Sequence, residues 1–164
     1  MACPFFMPME KLANGAWPHP ARLPLGCGWS GQCTAPGHEG EIPSDGELEL
    51  CNLGYASGCG RLPQQRAWDA VRFAVVAPAE ITGAGAGADK HQSGESGSAR
   101  RTVQVQYVCE RAHLPAEHGR LEFDGVESRW LQPHSDARVQ KMAECFLAAY
   151  LTRKKLQTME VAAG

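Results

Sequence analysis

With 164 residues, of which 43% are hydrophobic, the chain is long enough to bury one core of ordinary size. The formal net charge of −2 argues against a general nucleic-acid binder, which normally carries a basic surface. No apolar run approaches the roughly 20 residues that a membrane-spanning helix needs. We therefore expect a protein partner, and neither nucleic acid nor a membrane.

Seven cysteines are the most informative feature of the composition. The N-terminus shows no basic stretch before an apolar core, as a secretory signal would, and Pro4 and Pro8 would interrupt such a helix. In a protein that is not exported, the cysteines are in a reducing compartment. There they bind metals or act in catalysis more often than they form disulfides. We therefore predict a cytoplasmic protein whose cysteines bind a metal or react.

The first 43 residues contain seven prolines and show no sustained hydrophobic period. Prolines argue against long helices and central strands, so the pattern predicts an irregular segment that a bound metal could hold in one shape. Ser44 and Glu47 then form a capping box. This box predicts a short helix from about Asp45 to Leu53, with Gly54 as its C-terminal cap.

Alternating apolar residues predict an antiparallel sheet in the second half of the chain. Its strands are expected in AVRFAVVA from Ala70, TVQVQYVCE from Thr102, GRLEFD from Gly119 and VESRWL from Val126. The stretch RAHLPAEHG is expected to connect the second and third strands as a hairpin loop. Residues 82–101 are hydrophilic and of low complexity, so they are predicted to form a flexible loop.

An amphipathic C-terminal helix is the clearest predicted element. Ser135 or Asp136 can cap it, and the cations from Arg153 to Lys155 suit its C-terminal end. Its apolar stripe consists of Val139, Met142, Ala143, Phe146, Ala149 and Tyr150.

These elements predict an α+β fold, in which a small antiparallel sheet of three to four strands is packed by the C-terminal helix. An irregular Cys/Gly/Pro-rich N-terminal segment that binds metal precedes it. The predicted organisation is residues 1–62 for the metal-binding segment and residues 63–160 for the α+β domain, with the flexible loop 82–101 inside the latter.

Five cysteines crowd the first 59 residues and form the candidate metal site: Cys3, Cys27, Cys33, Cys51 and Cys59. Glycines flank most of them, and a residue without a side chain lets backbone N–H groups approach a charged sulfur. A tetrahedral thiolate site needs only four ligands. Cys33, Cys51 and Cys59 are the firmest choices, while Cys3 and Cys27 compete for the fourth place.

The cysteine spacing favours an iron–sulfur cluster over zinc. Structural zinc sites usually use paired cysteines two to four residues apart, and no such pair is present. The wider C-x5-C and C-x7-C loops suit a bulky cluster, and aromatic residues near them could exclude water: Phe5, Phe6, Trp29 and Tyr55. We predict a [4Fe–4S] cluster, or else [2Fe–2S], in a protein of electron transfer or redox sensing rather than an enzyme. The alternative is a zinc-stabilised module that binds another protein without redox chemistry.

The remaining cysteines and histidines allow further interpretations. His19 and His38 lie in the cysteine-rich region and could replace one thiolate. A third class that fits the composition is a thiol enzyme with one cysteine of low pKa. Cys109 and Cys145 continue apolar faces, so they are predicted to be core residues instead of ligands.

Overall fold

The computed structural model describes residues 1–13, 23–54, 58–76 and 102–162, with side chains up to residue 156. The elements in chain order are β1 (Phe6–Lys11), β2 (Trp29–Cys33), α1 (Asp45–Leu53), β3 (Ala70–Val76), β4 (Thr102–Arg111), β5 (Leu114–Asp124), β6 (Arg129–Gln132) and α2 (Ala137–Ala162). They form the α+β fold that the sequence predicts. His19, Tyr55 and the loop 82–101 lie outside the described residues.

Strands β3 to β6 form one antiparallel sheet in chain order. The side chains predicted to share one face pair directly across β3 and β4: Val71 with Cys109, Phe73 with Tyr107, and Val75 with Val105. Leu121 on β5 lies opposite Val105 and extends the same face. The predicted sheet and its apolar alternation are therefore confirmed.

The connection between β4 and β5 is shorter than the sequence predicts. β4 ends at Arg111 and β5 begins at Leu114, so the turn consists of Ala112 and His113. Both residues have positive φ, 48° and 65°. A two-residue turn requires this if its twist is to match the twist of the two strands. Because neither residue is Asn or Gly, the usual signal of such a turn is missing from the sequence.

Helix α1 has the predicted bounds and caps. The backbone N–H and the hydroxyl of Ser44 lie 2.9 Å and 2.8 Å from Glu47 Oε2, which confirms the capping box. Gly54 ends the helix with φ of 72°, and its N–H donates to the carbonyl of Leu50 at 3.0 Å. A Cβ at Gly54 would lie 1.4 Å from the carbonyl oxygen of Met1, so the chain start packs directly on this cap.

The first 43 residues contain a two-stranded sheet, where the sequence predicts irregular structure. β1 and β2 pair antiparallel, with Phe6 opposite Cys33. Pro8 lies within β1, next to a register shift between Pro8 and Glu10. Each strand of a two-stranded sheet keeps one unpaired edge, so a residue without an N–H donor is tolerated there.

Helix α2 packs on both sheets and joins two buried clusters. One cluster links the N-terminal segment to the helix and to β3, and includes Phe6, Leu25, Trp29, Val71, Val139 and Met142. The other lies between the helix and the centre of the larger sheet, and consists of Val105, Leu121, Ala143 and Leu147. The predicted helix stripe thus faces two surfaces rather than one.

Cys109 and Cys145 are 0% and 4% exposed, which confirms that they are core residues. Helix α2 continues past Lys155 to Ala162, beyond the cationic end that the sequence suggests. Within the described part of the chain, neither helix combines the length and the hydropathy needed to cross a bilayer.

Candidate metal centre

The first residues of the chain lie between the larger sheet and α1. Ala2 pairs with Val71 at the edge of β3 through two backbone hydrogen bonds of 2.7 Å and 2.9 Å. The N–H of Cys3 then donates to the carbonyl of Cys51 at 3.0 Å. These contacts place two buried cysteines side by side, one at the chain start and one in the last turn of α1.

The Cys3 and Cys51 thiols act on each other's ionisation. The Cys51 thiol lowers the pKa of Cys3, against the opposing effect of burial, and the Cys3 thiol raises the pKa of Cys51. Burial and the charges of Cys3, Cys59 and Cys33 raise the pKa of Cys51 further. Three of the other predicted ligands therefore lie close enough to Cys51 to affect the ionisation of its thiol.

Cys33 reaches this group from the end of β2. Its N–H donates to the carbonyl of Glu41 at 2.8 Å and its carbonyl accepts from Gly40 at 2.9 Å, so the chain folds back beside it. The N–H of Ala35 points at the Cys33 sulfur from 3.5 Å. Backbone N–H groups in this orientation stabilise negative charge on sulfur.

Arg61 holds the loop of Cys59 against two neighbouring elements. Its Nε and Nη2 donate to both carboxylate oxygens of Glu47 on α1, each at 2.9 Å. Its Nη1 lies 3.2 Å from Glu41 Oε2, and the guanidinium also interacts with the Cys33 thiol. The Arg61 side chain is only 17% exposed, and its bidentate pairing with Glu47 allows a single relative orientation of the two groups. Arg61 therefore fixes the position of half-buried Cys59 relative to the other thiols.

Asn52 fixes the helix that carries Cys51. It is 1% exposed, its Oδ1 accepts from the N–H of Trp29 at 2.9 Å, and its Nδ2 donates to the carbonyls of Trp29 and Leu48 at 3.0 Å. A buried amide with these partners ties α1 to the first residue of β2. Sequence reasoning missed Asn52, because an asparagine in a short polar helix gives no signal of burial.

Arg138, at the start of α2, lies on the side of the group occupied by Cys3. Its guanidinium binds the carboxylate of Asp136 through two nitrogens and stacks over the Phe5 ring, 5.2 Å from the centroid. The Cys51 thiol has the largest effect in lowering the pKa of Cys3, and the charge of Arg138 adds to it. Two guanidinium groups therefore act on these thiols, Arg61 on Cys33 and Arg138 on Cys3, and no sequence pattern points to either arginine.

Cys27 belongs to the same buried cluster as Cys3 and Cys51, but it is not among the groups that shift the ionisation of Cys51. It is 5% exposed, and burial raises its pKa against the effect of three neighbours: Lys11, Arg153 and Trp29. Its thiol neighbour is the core residue Cys145. Of the two cysteines that compete for the fourth place, Cys3 is the one with a backbone hydrogen bond to Cys51.

Among the described residues, no three His, Cys, Asp or Glu side chains are arranged so that they could hold a metal ion. His38, a predicted substitute ligand, pairs with Glu41 at 3.1 Å instead. Four thiolates around one zinc lie about 3.8 Å apart, whereas a cluster inserts its own iron and sulfide atoms between them. The Cys3, Cys33 and Cys59 thiols influence the ionisation of Cys51, but no three of the four stand at ligand distances from one point.

No protein-family model matches this chain, and no similar protein is found among curated proteins or solved structures. Function is therefore inferred from the chemistry of the cysteine site.

Proposed function

We propose that the protein binds an iron–sulfur cluster, [4Fe–4S], through Cys3, Cys33, Cys51 and Cys59, and acts in cytoplasmic electron transfer or redox sensing. The observation that carries the proposal is the backbone hydrogen bond of 3.0 Å that sets buried Cys3 beside buried Cys51, with Cys33 and Cys59 acting on the ionisation of the same Cys51 thiol. Four thiolates are the donor set that such clusters take. A bound cluster would supply reversible one-electron chemistry.

The residues around the thiols suit a group of negative charge. N–H groups of Phe5 and Phe6 stabilise the Cys3 thiolate, after the larger effect of Cys51, and Ala35 donates toward Cys33. Hydrogen bonds to sulfur raise the potential of a cluster because they favour its more negative, reduced form. Arg61 would act in the same direction from the other side.

Solvent access differs among the four proposed ligands. Cys3, Cys33 and Cys51 are buried, whereas Cys59 is half-buried in the loop after α1. Electron exchange between proteins requires a short path from the centre to the surface, and Cys59 provides it. We therefore place the approach of a protein partner on the Cys59 side.

Zinc is the second candidate, because the same thiolates could bind it. A zinc site would hold the chain start on α1 and leave the surface free for a protein partner, with no redox chemistry. The absence of a paired-cysteine knuckle from the sequence favours the cluster.

Anaerobic reconstitution with iron and sulfide tests the proposal. The wild type should bind about four iron and about four sulfide per chain. Single changes of Cys3, Cys33, Cys51 or Cys59 to Ala should each remove most of the bound iron, while the matched change Cys27→Ala should leave it unchanged. Loss with Cys27→Ala and retention with Cys3→Ala would reject the proposed ligand set.

Two other outcomes would replace the cluster with another function. Stoichiometric zinc, released by the same four variants, would identify a structural zinc site. A metal-free protein in which one cysteine is alkylated much faster than the others would favour a thiol enzyme.

A further inference from the structure

Cys27 and Cys145 lie at the contact between the loop before β2 and helix α2, and neither belongs to the proposed ligand set. They are 5% and 4% exposed and belong to the same buried cluster. A Cβ at Gly26 would lie 2.9 Å from the Cβ of Ala149, so the loop backbone packs tightly on α2 at this residue. Cys145 precedes Ala149 by four residues and lies on the same face of the helix. The loop therefore brings Cys27 to the face of α2 that carries Cys145.

Arg153 holds the loop on the helix at this contact. Its Nη1 donates to the carbonyl oxygen of Gly26 at 2.9 Å. Gly26 has a φ of 75°, and a Cβ there would also lie 2.7 Å from the Arg153 guanidinium. Because Gly26 directly precedes Cys27, these contacts set the position of Cys27 relative to α2.

The indole of Trp29 provides a buried N–H donor near Cys27. Trp29 is 9% exposed, and no group among the described residues accepts a hydrogen bond from its Nε1. A buried donor without an acceptor is rare, and a bound ion or another bound group is one of the explanations for it. Burial raises the pKa of Cys27, while Lys11, Arg153 and the Trp29 side chain act in the opposite direction. The Trp29 donor thus favours a negative charge on the Cys27 sulfur.

Burial keeps both thiols protonated as long as no cation joins them. It raises the pKa of Cys27, and it raises that of Cys145 to about 12. A buried thiolate needs a compensating positive charge beside it. A metal ion supplies this charge and displaces the thiol protons as it binds.

We propose that Cys27 and Cys145 bind one monovalent copper ion, Cu(I), as a pair of thiolates separate from the four-cysteine centre. Thiolates are soft ligands, and soft ligands select Cu(I). Zinc takes at least three protein ligands, and among the described residues no third His, Cys, Asp or Glu side chain completes such a set. The thioether of Met142, three residues before Cys145 and 0% exposed, adds another soft donor to the same buried cluster.

Binding changes no oxidation state. Two Cu–S bonds form, and both thiol protons leave to solvent. The product carries one net negative charge, which the cations Lys11 and Arg153 offset, and the Trp29 N–H can donate to the Cys27 sulfur.

Nitrogen–proton NMR on the reduced, metal-free full chain tests the copper site. The indole N–H resonance of Trp29, identified by its loss in Trp29→Phe, should move downfield when Cu(I) is added, because a copper-bound thiolate accepts a hydrogen bond better than a thiol does. The indole resonance of Trp130 should stay in place, since Trp130 packs on the other buried cluster. This measurement does not depend on whether an iron–sulfur cluster forms.

Cys27→Ser and Cys145→Ser should each abolish the shift and lower the bound copper by about one ion per chain. Cys109→Ser is the matched control, since it removes a buried thiol that lies outside this contact, and it should keep the shift. Loss of the shift in Cys51→Ala would assign the copper to the four-cysteine centre and overturn the proposal, as would a shift that persists without Cys27 or Cys145. If a serine variant does not fold, the wild type decides, because a Trp29 resonance that stays in place at saturating Cu(I) rejects the site.

Discussion

Arg61 joins three segments that are separate in sequence. Its guanidinium contacts Glu47 on α1 and Glu41 in the loop after β2, while its own backbone belongs to the loop of Cys59. Exposed ion pairs contribute little to stability, because water screens the charges and long side chains lose freedom. Arg61 differs because it is largely buried and binds both carboxylate oxygens.

Replacing Arg61 by Met should lower the free energy of unfolding, because two charge-assisted hydrogen bonds are lost and Glu47 loses its cationic partner. Urea unfolding measures this change. Arg129→Met is the matched control, since Arg129 is 61% exposed and pairs with Glu127 at the surface. Its effect on the free energy of unfolding should be clearly smaller than that of Arg61→Met. Equal effects of the two changes would refute the role given to Arg61.

Asp69 makes stability depend on acid pH. The N–H of Ala112, against the effect of burial and assisted by Arg66, lowers the pKa of Asp69. A carboxylate whose pKa is lower in the folded state than in the unfolded state stabilises the protein at pH values above its ordinary pKa of 3.8. This contribution is lost as the pH falls through the pKa of the folded state.

Asp69→Asn should therefore destabilise the protein by about 1.5 kcal/mol near neutral pH, since an amide cannot accept from both Ala112 and Arg66. The difference from the wild type should shrink below pH 3.8 and vanish once the native carboxyl is protonated. Unfolding curves at neutral and acid pH measure it. A difference that stays constant over this range would contradict the assignment.

At the scale of elements, the contact between β1 and β2 depends on Gly31. A Cβ at this position would lie 2.2 Å from the carbonyl oxygen of Met7 and 2.7 Å from the Phe6 ring. A backbone carbonyl cannot move aside as the end of a flexible side chain can. Gly31 therefore sets how closely the two strands approach.

Gly31→Ala should destabilise the protein by more than about 2 kcal/mol, because either the strands separate or Phe6 leaves the core. Gly46→Ala in α1 is the control, since a Cβ there meets no atom within 4 Å and alanine favours a helix. Thermal unfolding of the two variants should move in opposite directions. A tolerated alanine at position 31 would show that the strand spacing is not fixed there.

Elements with strong local signals were predictable from the sequence, and elements defined by distant contacts were not. The capping box of Ser44 and Glu47 specified α1, and apolar alternation specified β3 and β4. β1 was missed because Pro8 disfavours a strand in general, although it is tolerated where one edge is unpaired. The turn at Ala112 was missed because its positive φ values depend on strand pairing rather than on residue type.

At the scale of the whole molecule, the first residues of the chain join the larger sheet to α1. Ala2 is 0% exposed and pairs with β3, and Cys3 bonds to the end of α1. The N-terminal segment and the larger sheet thereby share one buried cluster, which contains both Phe6 and Val71. Ala2 is therefore part of the core, and Cys3 next to it is one of the four proposed ligands.

This double role can be separated by two variants of the metal-free protein. Deleting residues 1–3 should lower the free energy of unfolding by about 3 kcal/mol, because four backbone hydrogen bonds and the buried Ala2 are lost. Cys3→Ala keeps those bonds and should cost about 1 kcal/mol. Neither variant should bind the proposed cofactor when iron and sulfide are added. Equal destabilisation by the two changes would show that the backbone of the chain start contributes nothing.

The candidate site was predictable in its residue types and only partly in its geometry. Cysteines among glycines indicated a thiolate site, and five candidates contain the four that the structure brings together. The choice between Cys3 and Cys27 depends on the pairing of Ala2 with Val71, a contact across 69 residues that no local pattern encodes. Arg61, Asn52 and Arg138 are likewise near the thiols only through the fold.

The visible absorption spectrum of protein purified without oxygen, before and after dithionite, tests the central claim most directly. A cluster on the four thiols predicts a brown protein whose colour fades on reduction, and the same spectrum for Cys27→Ala but not for Cys51→Ala. A colourless protein from iron-replete, oxygen-free cells, with no change on adding dithionite, would contradict it.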